Sequence, residues 1–438
     1  VPTDPPHADP HPAWSPARRL TYHTLSTVLI QSTWQAVAFI LPVLVKRQFD
    51  AAPWQVLLIT MTPLVMAILS IFWQAALRRS TIARSALVYW SIALLPVGLI
   101  AGVHNFWTLF VLHAISSIGA AAWSSIHGEL LKRLYPDTFR GRAFGTIAAV
   151  STLGAAALSW AVGEALSYNS ESFRWFLPGL ALLQLAGALL LAWLARRANA
   201  ERPPDLSVEA WSPARAFEPI LHMREVLRAD RTFFRYEAAF MTYGIGWMIC
   251  WALLPLIVTD RLKLPYDQVT QSTAVAYQLA LVAATLPAGW INDRLGPTRT
   301  SAIAFAVYTL YPVLLITASG PAALAVASVA YGIAAAGANV GWMLGPVSLA
   351  PSPDKVPQYV AIHTSLVGLR GTVFQGLGVG LYSLTGSFTF SLIIAAAGFA
   401  WGSWQMVALH RSLHAPITPP STSRNQQPPS PHTADPGE

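Results

Sequence analysis

Gly289-Trp290-Ile291-Asn292-Asp293-Arg294-Leu295-Gly296-Pro297-Thr298-Arg299 is the stretch that decides the reading of this chain. Apolar runs near 268–290 and 300–319 lie on either side of it. A helix needs about 20 apolar residues to cross a hydrocarbon core. Charges, a glycine and a proline packed between two such runs read as a tight turn at a membrane surface.

The rest of the chain agrees. It has 438 residues, 54% hydrophobic and only 11% charged, against roughly a quarter charged in soluble domains. Lipid is therefore the expected solvent, with no large soluble domain. The net charge of +8 is spread over short loops, which argues against a nucleic-acid partner. Cys250 is the single cysteine, so no disulfide forms within the chain and no thiol cluster binds metal. It reads as a small buried core residue. Residues 1–17 are rich in Pro, His and Asp without an apolar centre, unlike a signal peptide; the first apolar run is expected to act as an uncleaved anchor.

Working outward, twelve apolar segments fall near 22–45, 54–76, 85–103, 106–131, 143–166, 173–195, 233–258, 268–290, 300–319, 321–349, 360–384 and 388–410. Of the 28 Lys and Arg, only Lys46, Arg47, Arg174, Arg261 and Lys263 sit in odd-to-even loops, and Arg370 lies inside a segment. The others sit on the opposite side, which predicts cytoplasmic termini. The expected division is an unstructured N-terminus (1–20), a six-helix half (21–195), a linker (196–232), a second half (233–410) and an unstructured tail (411–438). Part of the linker, 218–231, could form an amphipathic helix on the membrane surface. A faint repeat relates the halves: His113 precedes Gly119-Ala120 as Tyr331 precedes Gly337-Ala338, with Trp123 and Trp342 following.

The Asp293-Arg294 turn, with its spaced glycines and following Arg299, resembles the loop signature of the major facilitator superfamily. Pro136-Asp137-Thr138-Phe139-Arg140-Gly141-Arg142-Ala143-Phe144-Gly145 is similar to that family's loop before the fifth helix. The resemblance covers about 20–410. It implies an all-α membrane fold of twelve helices in two pseudo-symmetric halves, and transport of a solute. It also implies a gate in which Asp293, beside Arg294, meets the start of the fifth helix near Arg140 and Arg142; the plainer alternative is a charged turn that sets topology. Two departures stand out. The loop Gln74-Ala75-Ala76-Leu77-Arg78-Arg79 lacks the Asp and Gly usually found there, and His113 is the nearest polar residue to the arginine that proton antiporters often carry in the fourth helix.

Polar residues inside membrane segments are costly and mark candidate sites. At 100° per residue, Thr24, Thr27, Gln31 and Gln35 form one stripe with Trp34 at its edge. His113, Ser116, Ser117, Ser124 and His127 form another; Gln271, Gln278 and Thr285 a third; Tyr331 and Trp342, flanked by Asn339, a fourth; and His363, Arg370 and Phe374 a fifth. The candidate substrate cavity is therefore Gln31, Trp34, Gln35, His113, Ser117, Gln278, Tyr331, Asn339, Trp342 and Arg370. The alternative is that Ser and Thr bond their own helix and Gln bridges neighbours. Arg370 either holds a charge on the solute or a partner, or bonds backbone carbonyls among nearby glycines. Glu129, Glu237 and His363 are candidates for proton coupling; the plainer reading pairs Glu129 with Lys132 and Glu237 with Arg235.

No phosphate loop, His-Glu-x-x-His or Gly-x-Ser-x-Gly motif is present, and neither enzyme activity nor a cofactor is expected. The expectation is a monomeric secondary transporter of a small organic solute in a bacterial inner membrane, with lipid around it and protons as a candidate coupling ion. An uncoupled facilitator and a non-transporting assembly or sensing protein are the alternatives.

Overall fold

The computed structural model describes residues 14–69, 73, 76–77, 79–201, 204, 223–352 and 355–413. Among the described residues the ordered elements are all helical. They run α1 (Pro16–Gln48), α2 (Pro53–Met66), α3 (Ile82–Gly102), α4 (Phe106–Leu134), α5 (Asp137–Tyr168), α6 (Phe173–Arg197), α7 (Arg231–Arg261), α8 (Tyr266–Thr317), α9 (Pro321–Leu349), α10 (Val356–Thr385) and α11 (Phe388–Leu413). Polar side chains start several of them by accepting from otherwise unpaired first-turn amides: Ser15 from Arg18, Asn105 from Thr108 and Asp230 from Phe233.

Among the described residues, nine runs are long and apolar enough to cross a membrane, where the sequence predicts twelve segments. The difference falls at three places. Beyond α2, residues 70–72 lie outside the described set, so that segment appears only as a shorter apolar helix. α10 has the length but carries His363, Arg370 and Gln375. α8 spans 52 residues, which as one straight helix would be roughly 78 Å long, more than twice a hydrocarbon core. Gly296 divides it: its φ of 75° is a conformation in which a Cβ would be strained. The glycine of the quoted turn thus separates two limbs.

Helix starts and ends extend past the expected boundaries. α1 begins at Pro16, within the stretch expected to be unstructured, and α11 runs to Leu413. Residues 1–13, most of the linker (205–222) and the tail beyond Leu413 lie outside the described residues. The end of the linker, 223–229, is helical. It packs Met223, Val226 and Leu227 onto Phe233, Tyr359 and Ile362, so this part rests on protein.

We call the end near Pro16, Arg197, Arg231 and Leu413 the termini end, and the opposite one the far end. In the first half α6 packs on α1 and α3; in the second, α7 packs on α10 and α11, and α8 on α9. α5 against α8 and α2 against α10 join the halves. The largest apolar core is shared: Val45, Ala51 and Leu166 from the first half belong with Leu264, Tyr266 and Val269 from the second. Toward the termini each half has a core of its own, around Leu130, Leu134 and Ala195 in one and Phe233, Tyr359 and Ile362 in the other.

Candidate functional site

A cavity of about 430 Å³ lies between the halves. α1 contributes Trp34, Gln35, Ala38 and Phe39. α7 contributes Phe240, Tyr243, Trp247 and Trp251, whose steps of three and four residues keep them on one helical face. Tyr277 and Tyr308 come from the two limbs of α8; Tyr331, Asn339 and Trp342 from α9; and Val367 and Arg370 from α10. The tyrosines form a connected wall. The Tyr331 ring lies 5.1 Å from Tyr277 and 5.2 Å from Tyr308, and its hydroxyl accepts from the Trp247 indole.

A smaller chamber of about 240 Å³ shares Trp34, Ala38, Trp247 and Trp251 with this cavity. Its walls are mostly apolar, including Val37, Leu41, Ile59, Pro63, Leu64 and Val97. Thr60 and His113 are its polar side chains, and both are engaged. Thr60 donates to the Leu57 carbonyl, and the His113 Nε2 lies 2.9 Å from the Ile59 carbonyl oxygen.

Arg370 is 3% exposed. Its Nη1 donates to the Phe240 carbonyl at 2.8 Å, and its guanidinium lies 5.4 Å from the Tyr243 ring and 5.8 Å from that of Trp247. No carboxylate among the described residues pairs with it, and its buried Nε has no partner. Gly244 makes room for the stem, since a Cβ there would strike the Arg370 side chain. The carbonyl contact is the structural alternative raised above, but the same side chain also lines the cavity.

Two turns earlier on α10, His363 turns its Nδ1 to both Glu237 oxygens, at 2.8 and 2.9 Å. The two residues are each 2% exposed. Phe240 and Trp342, which line the cavity, lie 5.0 and 5.5 Å from the His363 ring. Glu237 therefore pairs with His363 rather than with Arg235, which donates to Ser412. Glu129 makes an ion pair with Arg133 at 3.0 Å, not with Lys132, and lies away from both chambers.

Trp34, Gln35, Tyr331, Asn339, Trp342 and Arg370 thus share the main cavity, and His113 lines the smaller chamber. Three other expected cavity residues do not line either one. Ser117 donates to the His113 carbonyl of its own helix. Gln31 lies beside Tyr89 within the first half. Gln278 is fully buried. The two glutamines were misplaced for one reason. α1 has a π-helical turn at Val28–Ser32, and α8 has one at Gln271–Val275. Such a turn inserts an extra residue and shifts the phase of everything beyond it. Gln31 and Gln35 consequently leave their common stripe, and Gln278 leaves that of Gln271. Phe240, Tyr243, Trp247, Tyr277 and Tyr308 were missed because aromatic residues in apolar runs read as core. The three- and four-residue spacing along α7 was the available signal.

Side-chain contacts across the halves concentrate at the far end. Lys46 lies 3.7 Å from Asp260. Ser167 donates to Asp267 at 2.6 Å, and Gln271 donates to Glu164 at 2.9 Å. Arg47 donates to the Leu264 carbonyl and lies over the Tyr266 ring. Nearer mid-bundle, Gln375 donates to the Thr60 carbonyl at 3.4 Å. The expected gate is not engaged in this conformation: Asp293 is exposed and makes no ion pair with Arg140 or Arg142. Arg294 lies 3.7 Å over the Trp290 ring, and Arg140 donates to the Tyr135 carbonyl.

Solved structures with the same architecture include the nucleoside transporter NupG, with a TM-score of 0.67, 13% identity, and coverage of 89% of this chain and 99% of that one. The human organic anion transporter MFSD10 (TETRAN) matches with a TM-score of 0.63 and 15% identity over 91% of this chain and 99% of its own. A peptide transporter POT in complex with sulfate matches with a TM-score of 0.71 and 13% identity over 90% of this chain and 93% of its own. These likenesses carry the fold. A search of curated sequences found no match. The family model described as Major Facilitator Superfamily matches residues 24–273, more than half of the chain. This multi-pass membrane protein belongs to the Major Facilitator Superfamily.

Proposed function

We propose that the chain is a secondary transporter that moves a small organic solute by rocking one half against the other. The observation that carries this reading is the cavity of about 430 Å³, built from side chains of both halves. A site at the interface of two repeats can be reached from alternate sides as the interface tilts. The far-end contacts support a state closed there, which by the charge distribution is the outer side. Neighbours in fold are described as transporters of nucleosides, organic anions and peptides, which supports a small organic solute as cargo.

One observation favours proton coupling: the Glu237–His363 pair, buried beside Phe240 and Trp342. Uptake into proteoliposomes, with and without an imposed pH gradient, tests both statements. Accumulation driven by the gradient is expected. Equilibration alone would make the protein an uncoupled facilitator, and no flux for any of a broad solute panel would remove the transport reading. Glu237→Gln is expected to abolish gradient-driven accumulation while solute exchange continues.

A further inference from the structure

We propose that the cavity takes an amphipathic organic anion, its acidic group at Arg370 and its apolar body in the smaller chamber. This rests on the transport reading for its biological meaning, but it is a statement about binding. Three observations carry it. Among the described residues, Arg370 is the charged side chain lining either chamber, and no carboxylate lines them. The one carboxylate nearby, Glu237, is held through both oxygens by His363. A buried arginine with no directly paired carboxylate is costly in a membrane protein, and an acidic solute supplies a paired charge together with acceptors for the guanidinium.

The second chamber defines the other end of the solute. It adjoins the main cavity along Trp34, Trp247 and Trp251, which line both spaces. A sugar or other polyhydroxylated solute would leave hydroxyls unpaired among Val37, Leu41, Pro63, Leu64 and Val97, at a desolvation cost. An aryl or alkyl group has no such cost. A cation is disfavoured by Arg370 and finds no carboxylate among the described lining residues. The remaining titratable groups that face the space, Tyr243, Tyr277, Tyr308, Tyr331 and His113, carry no fixed negative charge at neutral pH.

The test uses the full-length purified protein and three probes with one skeleton: 2-naphthoate, 2-naphthamide and 2-naphthylmethylamine, measured by isothermal titration. Naphthoate is expected to bind at least tenfold more tightly than naphthamide, with the amine weakest. Arg370→Gln should erase the advantage of the acid, and Arg370→Lys should restore part of it. Val97→Phe, which fills the smaller chamber, should weaken naphthoate at least fivefold relative to benzoate. Since Arg370 also anchors to the Phe240 carbonyl, the glutamine variant can misfold; the contrast among the three probes in the unaltered protein then decides alone. Equal or tighter binding of the amide or amine, or no naphthoate binding at millimolar concentration, overturns the proposal. Naphthoate binding without flux in proteoliposomes would leave this site standing and remove transport. Flux of neutral or cationic solutes without preference for the acid would do the reverse.

Discussion

The two ends of the bundle are held in different ways. At the far end the halves are fastened to each other through Lys46–Asp260, Ser167–Asp267 and Gln271–Glu164. At the termini end each half is fastened to itself. Glu201 accepts from the Ile82 and Ala83 amides, and His23 meets the Tyr135 hydroxyl. In the second half, Tyr359 donates to Asp230 and Thr298 meets His410. The difference teaches how the proposed rocking could leave each half firm while the two move against each other. Contacts within a half are buried or partly buried. Contacts between halves at the far end involve partly exposed polar groups, each worth about 0–1 kcal/mol, so a modest shift in binding energy can undo them.

The strongest way to break this contrast is to attack a half from inside. His363→Ala leaves the Glu237 carboxylate buried without its partner, a class of change that costs about 3–5 kcal/mol. A large fall in melting temperature is expected. No change would mean that the pair does not hold α7 to α10. Gly244→Ala comes next. Its new methyl collides with the Arg370 stem, and overpacking of this kind costs about 1–3 kcal/mol. Here solute binding should fall more than stability does; unaltered binding would show that the position of Arg370 is not set by α7.

Loosening the far end should do less to stability and more to the conformational balance. The combination Asp260→Ala, Asp267→Ala and Glu164→Ala removes three inter-half contacts, worth together about 1–2 kcal/mol for exposed groups. Maleimide labelling of a cysteine placed at Thr273 should speed up several-fold, while the melting temperature barely moves. Slow labelling in that variant would mean that the shared apolar core, not the polar contacts, closes this end. The smallest effect belongs to Asp293→Asn. The side chain is exposed and makes no ion pair among the described residues, so the unfolding free energy of the variant should stay within about 0.5 kcal/mol of the original. Its flux should nevertheless drop if Asp293 closes the termini end in the other state.

Much of the fold could be read from the chain because lipid imposes a simple rule: long apolar runs separated by charged turns. Asp293-Arg294 and Arg140-Gly141-Arg142 carried the family resemblance. Inside the cavity, costly or bulky residues such as Trp34, Gln35, Asn339, Trp342 and Arg370 stood out against their apolar surroundings. Phe240, Tyr243 and Trp247 did not, since aromatic rings are equally at home in a core. The partnership of Glu237 with His363 joins positions 126 residues apart, and no local pattern encodes it. Ser167, Asp267 and Gln271 look like ordinary helix-end polar residues; only the approach of α5 to α8 gives them a common purpose.

The π-helical turn at Val28–Ser32 has a consequence for how such a site can change. It works as a phase shifter between two segments of one rod. Deleting a single residue within it would rotate the whole of α1 on one side by about 100° relative to the other. Side chains now engaged inside the first half, Gln31 among them, would be re-aimed without any substitution in the lining itself. Selectivity in this protein can thus be altered by changing the length of a helix that encloses the site, an edit that a comparison of lining residues alone would overlook.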